Sequence, residues 1–124
     1  MKAIIFVALG SAIGGVCRYL SNLFVVKYYA GSFPMATFLV NITGCFLIGI
    51  FFALSEKNNF ISPDLRLFLT TGLCGGFTTF SAFAYENILL ARNGYYGLIG
   101  LYAAGSVVAG IFAVYLGIII IRLI

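Results

Sequence analysis

Between Thr70 and Asn87 the sequence TTGLCGGFTTFSAFAYEN sets hydroxyls, a glycine pair, two phenylalanines and an acid into an otherwise apolar surrounding. These residue types suit the handling of an ion better than the making of bonds. The chain has no His, three acids (Glu56, Asp64 and Glu86) and no Cys-x-x-Cys pair, so it lacks the ligands of a transition-metal site and the paired carboxylates of a hydrolytic centre. Gly72, Gly75 and Gly76 weaken a helix, while Thr78, Thr79 and Ser81 can cap backbone groups set free, so the pattern predicts a break near Gly75–Thr79. A broken helix has two inner ends, one offering N–H groups and a positive dipole, the other carbonyls able to hold a hard cation. Such backbone is tolerated at membrane depth only when buried in protein or lining a cavity. A kinked helix packed through its glycines is the alternative.

Phe80 and Phe83 share a face of the half-helix after the break, with Asn87 between them in angle and Glu86 close by. Rings at this spacing are commonly packing; beside an amide and hydroxyls, their positive edges can also face a small, strongly hydrated anion. Glu86 must be neutral, paired with Arg18 or Arg92, or near an aqueous opening. Asn41, with Thr37 and Gly44 on its face, brings amide donors that suit an anion or, more commonly, an interhelical hydrogen bond. Tyr102 and Ser106, four residues apart, offer hydroxyls to the same path, although a membrane serine usually bonds back to a carbonyl one turn earlier. Gly10, Gly14 and Arg18 recur every fourth residue; the glycines read as close helix packing. The Arg18 guanidinium must snorkel, face a watery vestibule, or find an acid or carbonyl groups.

The elements that carry these residues follow from composition. Of the 124 residues 63% are hydrophobic and 8% charged, far from a soluble domain of this size. A hydrocarbon core of about 30 Å needs roughly 20 apolar residues per helix, which leaves room for four spans and nothing else. They are expected near residues 3–26, 35–54, 65–91 and 98–123, in a single transmembrane domain. Pro34 and Ser62-Pro63-Asp64 mark helix starts, and Tyr28, Tyr29, Tyr95 and Tyr96 fall at two loops on one side, as interfacial aromatics do. The opening MKAIIFVALGSAIGG imitates a secretory signal, but the apolar pattern runs on to spanning length, so it is expected to be retained. The net charge of +4 is spread singly, which argues against nucleic acid. Cys17, Cys45 and Cys74 fall inside spans and read as small apolar side chains. Lys2, Lys57, Arg66 and Arg122 flank one side, Lys27 and Arg92 the other, a bias too small to fix orientation. Insertion both ways would permit an antiparallel homodimer.

GGFTTFSAF, with VNITGCFLIG in the second span and GSAIGGVCRY in the first, resembles the Fluc (CrcB) fluoride channels of bacteria across essentially the whole chain. The third-span motif is the specific part. The resemblance implies an all-α membrane protein of four helices with the third broken, paired as an antiparallel, dual-topology homodimer in the bacterial cytoplasmic membrane. It implies two fluoride pores and a central structural Na+ held by the backbone carbonyls of Gly75 and Thr78. It places Phe80, Phe83, Asn41, Thr79 and Ser81 along the pore and Glu86 near one end. Tyr102 and Ser106 become members of a hydroxyl track, and Arg18 a vestibule residue. Ala82 stands where many members have Thr or Ser, and Gly110 where some carry another hydroxyl, so the polar track here is expected to be shorter or to rely on water. The implied activity is passive, non-enzymatic export of fluoride that enters cells as HF. The rival readings are a small multidrug exporter, which would need an acid in the first span, and a non-conducting assembly subunit.

Overall fold

The computed structural model describes residues 1–57 and 61–124, all helix and short connections. Part of the polar SEKNNFISPDLR connection, residues 58–60, lies outside the described residues. Four stretches are long and apolar enough to cross a membrane: α1 (Lys2–Tyr28), α2 (Met35–Lys57), a composite third span (Pro63–Arg92) and a last helix (Tyr96–Leu123). The third span consists of α3 (Pro63–Leu67), a π-helix (Phe68–Cys74), the single turn α4 (Gly75–Phe77) and α5 (Phe80–Arg92), so the last helix is α6.

Local chemistry sets the ends. Ser62 caps α3 by accepting from the Leu65 N–H at 3.2 Å, Pro63 occupies the first turn and Asp64 lies at the positive end of the dipole. Gly94, at φ 78°, ends α5: its N–H reaches Ala91 O and that of Tyr95 reaches Leu90 O, a Schellman closure that only a residue free of Cβ enters cheaply. The chain then turns directly into α6.

Two glycine seams hold the bundle. Along α2 and α6, the most extensive pairing, a Cβ at Gly49 would strike Val114 backbone, and one at Gly117 would meet Ile50 N at 3.0 Å. Along α1 and the third span, a Cβ at Gly10 would meet Gly72 Cα at 2.9 Å, and one at Gly76 would meet Ser11 Cα at 2.8 Å. Backbone thus lies against backbone, the packing that replaces hydrophobic driving force inside a bilayer.

Much of the exterior is apolar. Ile4, Leu9, Ile13, Val108, Ile111 and Phe112 are all exposed, whereas the largest side chain fully enclosed is Tyr102. A surface of this kind needs lipid or another protein against it.

The glycine pair does not supply the break. Gly75 keeps helical angles (φ −63°, ψ −38°), and the backbone turns extended at Thr78 (ψ 159°) and Thr79 (φ −150°, ψ 119°). Gly76 serves the seam with α1 instead. Before the break the span passes through the π-helix, at whose end the Gly75 N–H reaches Thr70 O.

Candidate functional site

The two extended residues are held from three sides. Asn41, projecting from α2, donates Nδ2 to Thr79 O at 3.0 Å and accepts the Thr79 N–H on Oδ1 at 2.8 Å. One amide therefore satisfies both backbone groups of Thr79. Thr79 in turn caps α5, accepting the Ala82 N–H on its hydroxyl at 3.2 Å, and lies 3.3 Å from the Ser81 hydroxyl. From α1, Arg18 Nη1 donates to Thr78 O at 3.0 Å, while the Thr78 hydroxyl and N–H both turn back to Cys74 O at 2.9 Å.

An open cavity of about 360 Å³ lies against this knot, lined by Asn41, Thr78, Thr79, Phe80, Phe83 and Ser106 among others. Ser106 Oγ is buried and has no hydrogen-bond partner, so it does not bond back along α6 as membrane serines usually do. Gly44 faces Thr78 so closely that any side chain there would displace the Thr78 methyl group. Phe80 is 78% exposed. Its ring centroid is 5.6 Å from that of Phe83, and Phe83 is 4.9 Å from Tyr102, giving a row of rings from the open groove to the core.

At the inner end of that row is Glu86. Its carboxylate accepts from the Thr37 hydroxyl at 2.6 Å and the Tyr102 hydroxyl at 2.7 Å. Short bonds to an acid are the strong kind, and here both donors are neutral. Glu86 and Thr37 also form part of a second recess of about 390 Å³ toward the Tyr29 and Tyr95 loops. Neither expected partner of Glu86 is in place: among the described residues its only side-chain bonds are to the two hydroxyls, and Arg18 is committed to the Thr78 carbonyl. For Arg18 the reason is geometric, since it meets the third span at the break itself, about two turns of α5 before Glu86. Tyr102 is likewise a positioning group for Glu86, fully buried, and its hydroxyl does not join the cavity that Ser106 lines.

Thr37 is the site residue that the sequence left unassigned. Its four-residue spacing from Asn41 signalled a shared face, but nothing local indicated an acid 49 residues away. Phe33, edge-on to Tyr102 at 5.4 Å, also lacked a signal. Asn87 is turned to Phe83 O at 2.9 Å and leaves its Oδ1 buried without a partner.

The groups in this arrangement suit the handling of an ion. It offers neutral donors, ring edges and one acid, with no group of three metal-ligating side chains among the described residues. Residues 5–118 match the family model described as CrcB-like protein, Camphor Resistance (CrcB). The chain is 51% identical over 120 residues to a Flavobacterium psychrophilum protein, covering 97% of each. It is 47% identical over 118 residues to one from Phocaeicola vulgatus, covering 95% of this chain and 97% of that one. Against a Methylobacillus flagellatus protein the identity is 46% over 118 residues, covering 94% and 92%. All three relatives are named fluoride-specific ion channel FluC.

Proposed function

Because the chain belongs to the CrcB family, we infer that it conducts fluoride selectively across a membrane. It is a channel and not an enzyme. The observation that carries selectivity is the cavity at the break, where an unpartnered Ser106 hydroxyl and the Phe80 and Phe83 rings meet the Asn41 amide without a cationic side chain in the lining. A small anion sheds much of its water only where fixed donors replace it, and a larger halide would not fit the same donors closely. Neutral donors bind it weakly enough to let it leave.

The path proposed here runs from this groove along Phe80, Phe83, Thr79 and Ser81 to the recess at Glu86, where Thr37 and Tyr102 hold the carboxylate. Those two hydroxyls are the donors a passing anion would want. The acid occupies them until it swings aside.

The groove is open on the side where Phe80 is bare, which favours completion by a second copy. Antiparallel pairing is supported by the near balance of flanking cations, four against two, which lets the chain insert either way. Fluoride that enters a bacterium as HF and ionises would leave by this route through the cytoplasmic membrane.

The pairing also suits a structural Na+ between the breaks. Gly75 O has lost its usual helical donors, because the Thr78 N–H goes to Cys74 O and the Thr79 N–H to Asn41. Gly75 is itself exposed, so this carbonyl and that of Thr78 are hard oxygen ligands of the right kind. Bound there, the cation would supply charge and cross-linking at the break and no chemistry.

Purified protein in liposomes is expected to release fluoride far faster than chloride once a voltage shunt is supplied, as read by ion-selective electrodes. Equal chloride efflux would sink the selectivity, and no efflux of either ion would favour an assembly subunit. Phe80→Ile and Phe83→Ile are each expected to slow fluoride by up to about tenfold, the size of a ring-edge contact, with the assembly intact by size-exclusion chromatography. Unchanged flux in both would return the rings to packing.

A further inference from the structure

The contact between Arg18 and the break has a consequence for assembly. Arg18 stands part-buried in α1, its one protein hydrogen bond among the described residues runs to Thr78 O at 3.0 Å, and no acid is bonded to it. A guanidinium without a counter-ion at membrane depth is costly, and a carbonyl at a helix break is the partner that repays it. The carbonyl it takes is one of the two proposed to hold Na+. Gly75, the other, is left bare.

We propose that Arg18 is a competing cation for the break: in the unpaired subunit it caps the Thr78 carbonyl, and on pairing it yields that oxygen to Na+ and turns toward the aqueous vestibule. The proposal rests on the Na+ reading above and adds to it a residue that sets how much Na+ assembly requires. The reason is charge. A fixed positive group one hydrogen bond from a shared oxygen repels a second cation there, and in a medium of intermediate dielectric that repulsion exceeds a factor of ten in binding. A lone subunit inserted in lipid meanwhile never exposes the Thr78 carbonyl unsatisfied, because Arg18 stays on it until a partner arrives.

The test compares the purified full-length wild type with Arg18→Gln and Arg18→Lys, titrating NaCl against choline chloride at constant ionic strength. Thermal melting and chemical cross-linking of the pair are the readouts, and neither depends on conduction. The wild type is expected to gain stability and pairing with Na+. Arg18→Gln is expected to be less stable than wild type without Na+, to approach it at saturation, and to reach its midpoint at about tenfold less Na+. Arg18→Lys, which keeps the charge as a point and loses the planar fork, should fall between them. An Arg18→Gln protein that folds only with Na+ present is the extreme form of the expected result. A midpoint equal to or above that of wild type in either variant overturns the proposal, as does an Arg18→Gln protein that no Na+ concentration restores. A wild type indifferent to Na+ removes the cation reading itself and the competition with it, a result distinguishable from the others.

Discussion

Asn41→Ala is expected to abolish fluoride efflux, with flux falling at least a hundredfold, and to lower the melting temperature sharply. The amide satisfies both the N–H and the C=O of Thr79, and no other residue among those described bonds to either. Removing it leaves two backbone groups unpaired where water is scarce, at roughly 1–3 kcal/mol each, so about 2–6 kcal/mol in all. That is a large share of the stability of a small domain. The effect on flux should exceed the effect on folding, since the Thr79 backbone also orients the Thr79 hydroxyl that caps α5. Asn41→Asp separates the parts: it keeps the acceptor for the Thr79 N–H, loses the donor to Thr79 O, and adds a negative charge to an anion path. Liposome efflux beside thermal melting in detergent checks both. Wild-type flux in Asn41→Ala would remove the break from the path.

Gly14→Ala is expected to prevent stable folding, whereas Gly15→Ala should be tolerated. The two glycines are neighbours in GSAIGGVCRY and look alike in sequence. A Cβ at Gly14 would collide with Leu73 O and lie 2.8 Å from Phe77 N and 3.1 Å from Gly76 C. Every one of these atoms is backbone, so no rotamer change relieves the clash, and the helices must separate at a cost of ~3 kcal/mol or more. Separation also pulls Arg18, one turn on, away from Thr78. At Gly15 nothing lies within 4 Å, and the added methyl should be neutral or stabilise α1 by up to about 1 kcal/mol through helix propensity. Expression and melting of the two variants side by side provide the check. Equal behaviour would contradict the close seam between α1 and the third span.

The same contrast shows what could be read without coordinates. Hydropathy is local: a helix must cover about 30 Å of hydrocarbon with its own backbone bonds, so four apolar stretches with charged ends announce four spans wherever they pack. Helix starts are local as well, which is why Ser62-Pro63-Asp64 is legible as a cap. The family motif pointed to fluoride because its residues are contiguous. The break could be located only to within a turn, since glycine lowers helix propensity without requiring an interruption, and Gly75 and Gly76 both stay helical, Gly76 in the seam against α1.

The partners of the polar residues were a different matter. By sequence every cation in reach is a candidate partner for Glu86, yet it is held by Thr37 and Tyr102, 49 and 16 positions away. Arg18 reaches a carbonyl 60 positions distant, and Asn41 a backbone pair 38 positions distant. By itself the sequence determined that this chain crosses a membrane four times and that its third span is weakened beside hydroxyls and rings, because bilayer thickness and helix propensity act on neighbouring residues. Only the tertiary structure decided that threonines and not glycines carry the break, and which donors hold the acid, because a buried polar group takes whatever partner the packing of distant backbone brings within 3 Å.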